Sequence, residues 1–152
     1  MKKWLFVVAA LFAVLVPMAV VGAQGSSFTM TEAEVNQTYR VTNPARRSVS
    51  DVYVDLQDGQ VSISATITTR ARRGAGTTSY SAVGVYSAEV RDGRIYWTLD
   101  SATVDGQPAS QELINQINAA LGSSWRNFVR SQHPGRVASL TITEDDITVT
   151  LQ

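Results

Sequence analysis

The chain has 152 residues, with 13 basic and 13 acidic side chains, one histidine and no cysteine. That balance argues against a general nucleic-acid binder, which carries a basic excess. The missing cysteine excludes a disulfide framework, a zinc–thiolate site and a thiol nucleophile, and a lone histidine leaves little for a multi-histidine metal site.

Residues 1–23 have the order of a signal peptide. Lys2 and Lys3 precede an apolar run from Trp4 to Val21, and small residues close it at Val21-Gly22-Ala23 before Gln24. An uncleaved anchor is the alternative, because about 20 apolar residues are long enough to span a bilayer. Either way the lysines stay inside and the rest is exported, to the extracellular space or the outer face of the cytoplasmic membrane. Membrane contact would run through residues 4–23 if the segment is kept. Beyond it every basic residue is arginine, eleven against thirteen acids, a formal charge near −2.

Residues 24–30 read as a linker and 31–152 as one domain. Thr31-Glu32-Ala33-Glu34 has capping-box spacing, so a short helix should run to Tyr39 or Arg40, stopped by Asn43-Pro44. Four strands follow. Val52, Val54 and Leu56 alternate with polar residues up to Asp58-Gly59, a hairpin dipeptide. Val61, Ile63, Ala65 and Ile67 alternate with Ser62, Ser64, Thr66 and Thr68, which predicts a strand with one polar face. The third strand spans Thr77 to Val90, and Gly84 inside it marks a bulge or a close approach. After Asp92-Gly93, Ile95, Trp97 and Leu99 alternate, and the slip to Ala102 and Val104 predicts a bulge near Asp100.

Ser110 is placed to cap a second, long helix. Leu113, Ile117, Leu121, Trp125 and Phe128 recur at helical spacing, with Ile114 and Val129 widening the stripe. Gly122 interrupts it at a cost of about 1 kcal/mol relative to alanine, and His133-Pro134-Gly135 ends it. A hairpin of Val137–Thr143 with Ile147–Leu151, turning at Glu144-Asp145-Asp146, closes the chain. The order α-β-β-β-β-α-β-β predicts an α+β fold, with an antiparallel sheet of about six strands packed on one long helix and a short N-terminal helix beside it.

No catalytic constellation stands out. His133 sits at a helix exit, no Gly-x-Ser-x-Gly elbow is present, and Glu32 and Glu34 point apart on their helix. No calcium-loop spacing occurs, and Arg73-Gly74-Ala75-Gly76 lacks the lysine and helix of a phosphate loop. The expectation is therefore a non-enzymatic domain with no metal and no cofactor. Two surfaces are candidates. Trp97, Leu113, Ile117, Leu121, Trp125 and Phe128 could line an apolar pocket between the long helix and the sheet, or simply form a packed core. Antiparallel tracing gathers Arg40, Arg46, Arg47, Arg70, Arg72 and Arg73 at one end of the sheet, where guanidinium groups could grip an anionic partner of the envelope: a wall polymer, phospholipid headgroups or an acidic protein surface. The plainer reading is a solvated edge partly neutralised by Glu144-Asp145-Asp146, which the same tracing returns to that end.

The chain resembles small exported bacterial domains of the YpmS-like type. The points of likeness are the apolar leader, the helix start Thr31-Glu32-Ala33-Glu34-Val35-Asn36, the strand meander, the Gly106-Gln107-Pro108 turn before a helix, and the terminal hairpin. It is more distantly similar to tubular lipid-binding proteins, which hold acyl chains between a long helix and a curved sheet. That resemblance implies a lipid or other apolar ligand at Leu113, Ile117, Leu121, Trp125 and Trp97.

Overall fold

Alternation of apolar and polar residues governs the centre of the chain. The computed structural model describes residues 27–39, 47–70, 76–119, 121 and 136–152. Four long strands, β2 (Arg47–Gln57), β3 (Gln60–Arg70), β4 (Thr77–Arg91) and β5 (Arg94–Val104), run as an antiparallel meander, and β6 (Gln107–Pro108) adds a short edge. On β3, Val61, Ile63, Ala65 and Ile67 are buried, while the intervening Ser and Thr residues form the other face. One face can be polar because the second layer covers only the other.

The turns and irregularities follow the local chemistry. Asp92 and Gly93 both adopt positive φ (52° and 74°), which a two-residue turn matched to strand twist requires, and Asp105-Gly106 repeats it. A bulge at Asp100 shifts the β4–β5 register between Val85 and Tyr86, as the slipped pattern of β5 implies. A second bulge on β2, between Ser50 and Tyr53, holds Asp51 at φ 53°, a conformation that Asp tolerates better than most residues. Gly84 answers to a close approach: a Cβ there would lie 2.9 Å from the ring and hydroxyl of Tyr86. The neighbour is thus on Gly84's own strand. Gly84 is opposite Ile63 on β3 and Ala102 on β5, and Ala82 is opposite Ala65 one step along the same face.

The expected α+β architecture, one long helix packed on a sheet of about six strands, is not what the chain adopts. The fold is mostly β, with two antiparallel sheets and two short helices. The second sheet has the order β1-β8-β7, formed by β1 (Ser27–Thr31), β7 (Val137–Ile142) and β8 (Asp146–Leu151). β1 takes up residues that the linker reading had covered. The terminal hairpin does not extend the meander; it pairs with β1. The cover expected from the long helix is shared among this sheet, α1 (Glu32–Thr38) and α2, which is helical at residues 111–119 and 121. Trp125, Phe128 and Val129 of the stripe lie outside the described residues. The helical spacing of the stripe predicts a long helix on the sheet, and the fold has two short helices instead.

Main-chain bonds fix how the sheets meet. Val137 N donates to Gly93 O (2.9 Å) in the β4–β5 turn, and Gly59 N in the β2–β3 turn donates to Ile142 O (3.0 Å). Strand β7 thus runs across the hairpin end of the meander, and the small sheet lies crosswise to the large one. Val137, Ile142, Ile147 and Val149 join the same core as Val54, Leu56, Val61 and Leu99.

Candidate binding surfaces

Each helix is fastened to an edge of the large sheet by one asparagine. Asn36 of α1 accepts from Val54 N (2.8 Å) and donates to Val54 O (2.7 Å). Asn118 of α2 accepts from Leu99 N (2.7 Å) and donates to Leu99 O (3.0 Å). Each carboxamide completes outward-facing main-chain groups that would otherwise leave an edge open to pairing. Sequence reasoning missed both residues. The signal was there for Asn118, which sits at i+4 from Ile114 inside an apolar stripe where a polar residue needs a partner.

Glu32 extends the clasp on β2. Its Oε1 accepts from the Tyr53 hydroxyl (2.7 Å) and its Oε2 from Leu56 N (2.9 Å). The Leu56 N–H, then the Tyr53 hydroxyl, lower the Glu32 carboxyl below its usual 4.5, and the Glu32 carboxylate in turn raises the Tyr53 phenol above 10.0. Glu34 turns back to Thr31 instead: Thr31 N donates to Glu34 Oε2 (2.8 Å) and Glu34 N to Thr31 Oγ1 (3.3 Å), the expected capping box. The two acids thus point apart, as their spacing predicts.

Of the apolar candidates, Trp97, Ile117 and Leu121 are buried in one cluster and Leu113 packs partly against it. Ser110 caps α2 as expected, accepting from Leu113 N (3.3 Å). Trp125 and Phe128 lie outside the described residues, as do His133 and the export segment 1–23. Among the described residues no helix is long and apolar enough to cross a membrane.

Of the arginine candidates, Arg47 and Arg70 fall within the described backbone. Arg47 is opposite Thr69 and Arg70 opposite Thr77, so both lie at the same end of β2 and β3. Arg40, Arg46, Arg72 and Arg73 lie outside the described residues. The acidic tip belongs elsewhere, and here the antiparallel tracing failed. Asp145 O accepts from Glu32 N (2.9 Å), and Ile142 O meets the β2–β3 turn. That turn is at the opposite end of β2 from Arg47, about 33 Å away at 3.3 Å per residue. Glu144, Asp145 and Asp146 therefore gather near Glu32, Glu34, Asp55 and Asp58 in one acidic corner. They are too distant to neutralise the arginine end, since a Debye length at physiological salt is about 8 Å.

No family model matches the chain, and no curated protein is found to be related to it.

Proposed function

We propose that the protein is a non-enzymatic, exported module of the cell envelope that binds an anionic partner through its arginine end. The observation that carries this is charge separation. Arg47 and Arg70 share one end of the large sheet, and the acidic tip once expected to neutralise them sits at the other. The export placement rests on the leader and on the resemblance to YpmS-like domains. Arginine suits phosphate or carboxylate groups because its planar fork binds two oxygens at once. The partner in best accord is an anionic wall polymer, a repeating array that rewards several guanidinium contacts together.

The apolar-ligand reading has weaker support. Ile117 and Leu99 are closed to solvent around the Asn118 clasp, at 0% and 1% exposure. This is the packing expected of a core.

The test is titration of the full chain, in detergent, with a purified anionic wall polymer at rising salt. Binding should weaken steeply with salt, and the double variant Arg47→Ala, Arg70→Ala should bind at least about tenfold more weakly, the loss expected for one charge-assisted contact. Salt-insensitive binding, or full affinity in the double variant, would overturn the reading.

A further inference from the structure

A second set of arginines lies at the opposite end of the large sheet, on the corner away from the acids. Arg91 and Arg94 are cross-strand partners flanking Asp92-Gly93. Arg136 packs on that turn: a Cβ on Gly93 would lie 2.9 Å from Arg136 Cβ, and the adjacent Val137 N bonds to Gly93 O. All three arginines are exposed. The Arg91 guanidinium stands 5.3 Å from the centroid of the Tyr96 ring and pairs with Glu89, the one ion pair among the described residues. The acids beside these three guanidinium groups are Glu89, Asp92 and the terminal carboxylate of Gln152, whose N donates to Arg136 O (2.7 Å), whereas the other end of the small sheet carries Glu32, Glu34, Glu144, Asp145 and Asp146 with no described cation among them.

The chain enters the described fold beside this corner. Ser27 is opposite Thr150, and Thr150 is opposite Ser139. Ser27 is therefore two strand spacings, about 10 Å, from Ser139, which lies three residues beyond Arg136. Residues 22–26, between the apolar run and Ser27, can span at most about 18 Å. A retained apolar segment would hold the corner within reach of the headgroup layer. The acidic corner lies at the other end of β1, about 17 Å further along the small sheet. An anionic surface would attract one corner and repel the other.

We infer that Arg91, Arg94 and Arg136 form a membrane-docking corner that settles on anionic phospholipid headgroups and sets the orientation of the tethered domain. The arginine end of the large sheet, roughly 30 Å away along the strands, then points outward into the envelope. The inference rests on the anchored form of the leader and is independent of the polymer reading.

The test uses the full chain, synthesised cell-free into vesicles of phosphatidylcholine with or without phosphatidylglycerol. The natural chain has no cysteine, so a fluorophore on Ser139→Cys is unique, and one on Ser79→Cys reports the far end. With a headgroup spin label as quencher, the Ser139 probe should be quenched and the Ser79 probe should not, in anionic vesicles alone. The variant Arg91→Gln, Arg94→Gln, Arg136→Gln should lose that quenching with an unchanged circular dichroism spectrum, and Arg70→Gln should keep it. Equal quenching at both sites, quenching in neutral vesicles, or its survival in the triple variant would overturn the docking corner. In bacteria expressing the chain, an intact mass in the membrane fraction supports the tether, and a chain beginning at Gln24 overturns it. Polymer binding through Arg47 and Arg70 is read separately, so either inference can fail alone.

Discussion

Tyr86 shows how one aromatic side chain shapes the inner face. It is fully buried, and its ring folds over Gly84 two residues back on the same face. Burial, with a smaller contribution from nearby Tyr39, raises its phenol well above 10.0, so it remains neutral throughout the physiological range. Gly84→Ala should be destabilising although alanine is the better strand residue, because its Cβ would meet the ring at 2.9 Å. The expected loss is about 1–3 kcal/mol, the usual result of forcing an extra methyl into a filled core, read from urea denaturation. The double variant Gly84→Ala, Tyr86→Leu should lose less than the sum of its parts, because the clash is gone. Additive losses would mean that the ring is not what requires glycine.

At the scale of elements, the meander was legible and the second sheet was not. Period-two alternation places β2 to β5 because one face of each is buried, and Asp92-Gly93 encodes its own turn. The placement of Arg47 and Arg70 at one end of the sheet follows from that order alone. Strand β1 alternates Phe28 and Met30 with Ser27, Thr29 and Thr31, but at five residues running straight into the capping box at Thr31 the pattern is too short to stand out from a linker. The terminal hairpin looks the same in sequence whether it extends the meander or pairs with β1, and that ambiguity misplaced the acidic tip. The asparagine clasps were also hidden, because their partners, Val54 and Leu99, are 18 and 19 residues away. Each clasp should matter alike. Asn36→Ala and Asn118→Ala each strand a main-chain donor and acceptor, at about 1–3 kcal/mol, measurable as a lower thermal midpoint. Asn118→Asp keeps the acceptor for Leu99 N but loses the donor to Leu99 O, and should fall between alanine and the parent. An alanine variant as stable as the parent would show that packing alone docks the helix.

At the scale of the molecule, the two sheets share one core although no described strand belongs to both. Ile142 and Val137 on β7 are buried with Val61 and Leu99 of the large sheet, and the bonds from Gly59 and to Gly93 tie both ends of β7 to hairpin turns. A five-stranded meander without this crosswise layer would expose a continuous apolar face and should not persist alone. The same layer carries the chain's entry point and Arg136, while Arg91 and Arg94 belong to the large sheet, so its attachment also fixes how the domain would stand on a membrane. The two sheets should therefore unfold together. Ile142→Ala should cost about 2–5 kcal/mol, as truncation of a buried isoleucine does. It should lower the far-ultraviolet and the near-ultraviolet circular dichroism transitions to the same midpoint. Coincident curves in parent and variant are the signature of one cooperative unit. If the variant splits them, with strand signal persisting after aromatic packing is lost, the small sheet is a separable layer. It could not then hold the arginine corner in a fixed orientation against the large sheet.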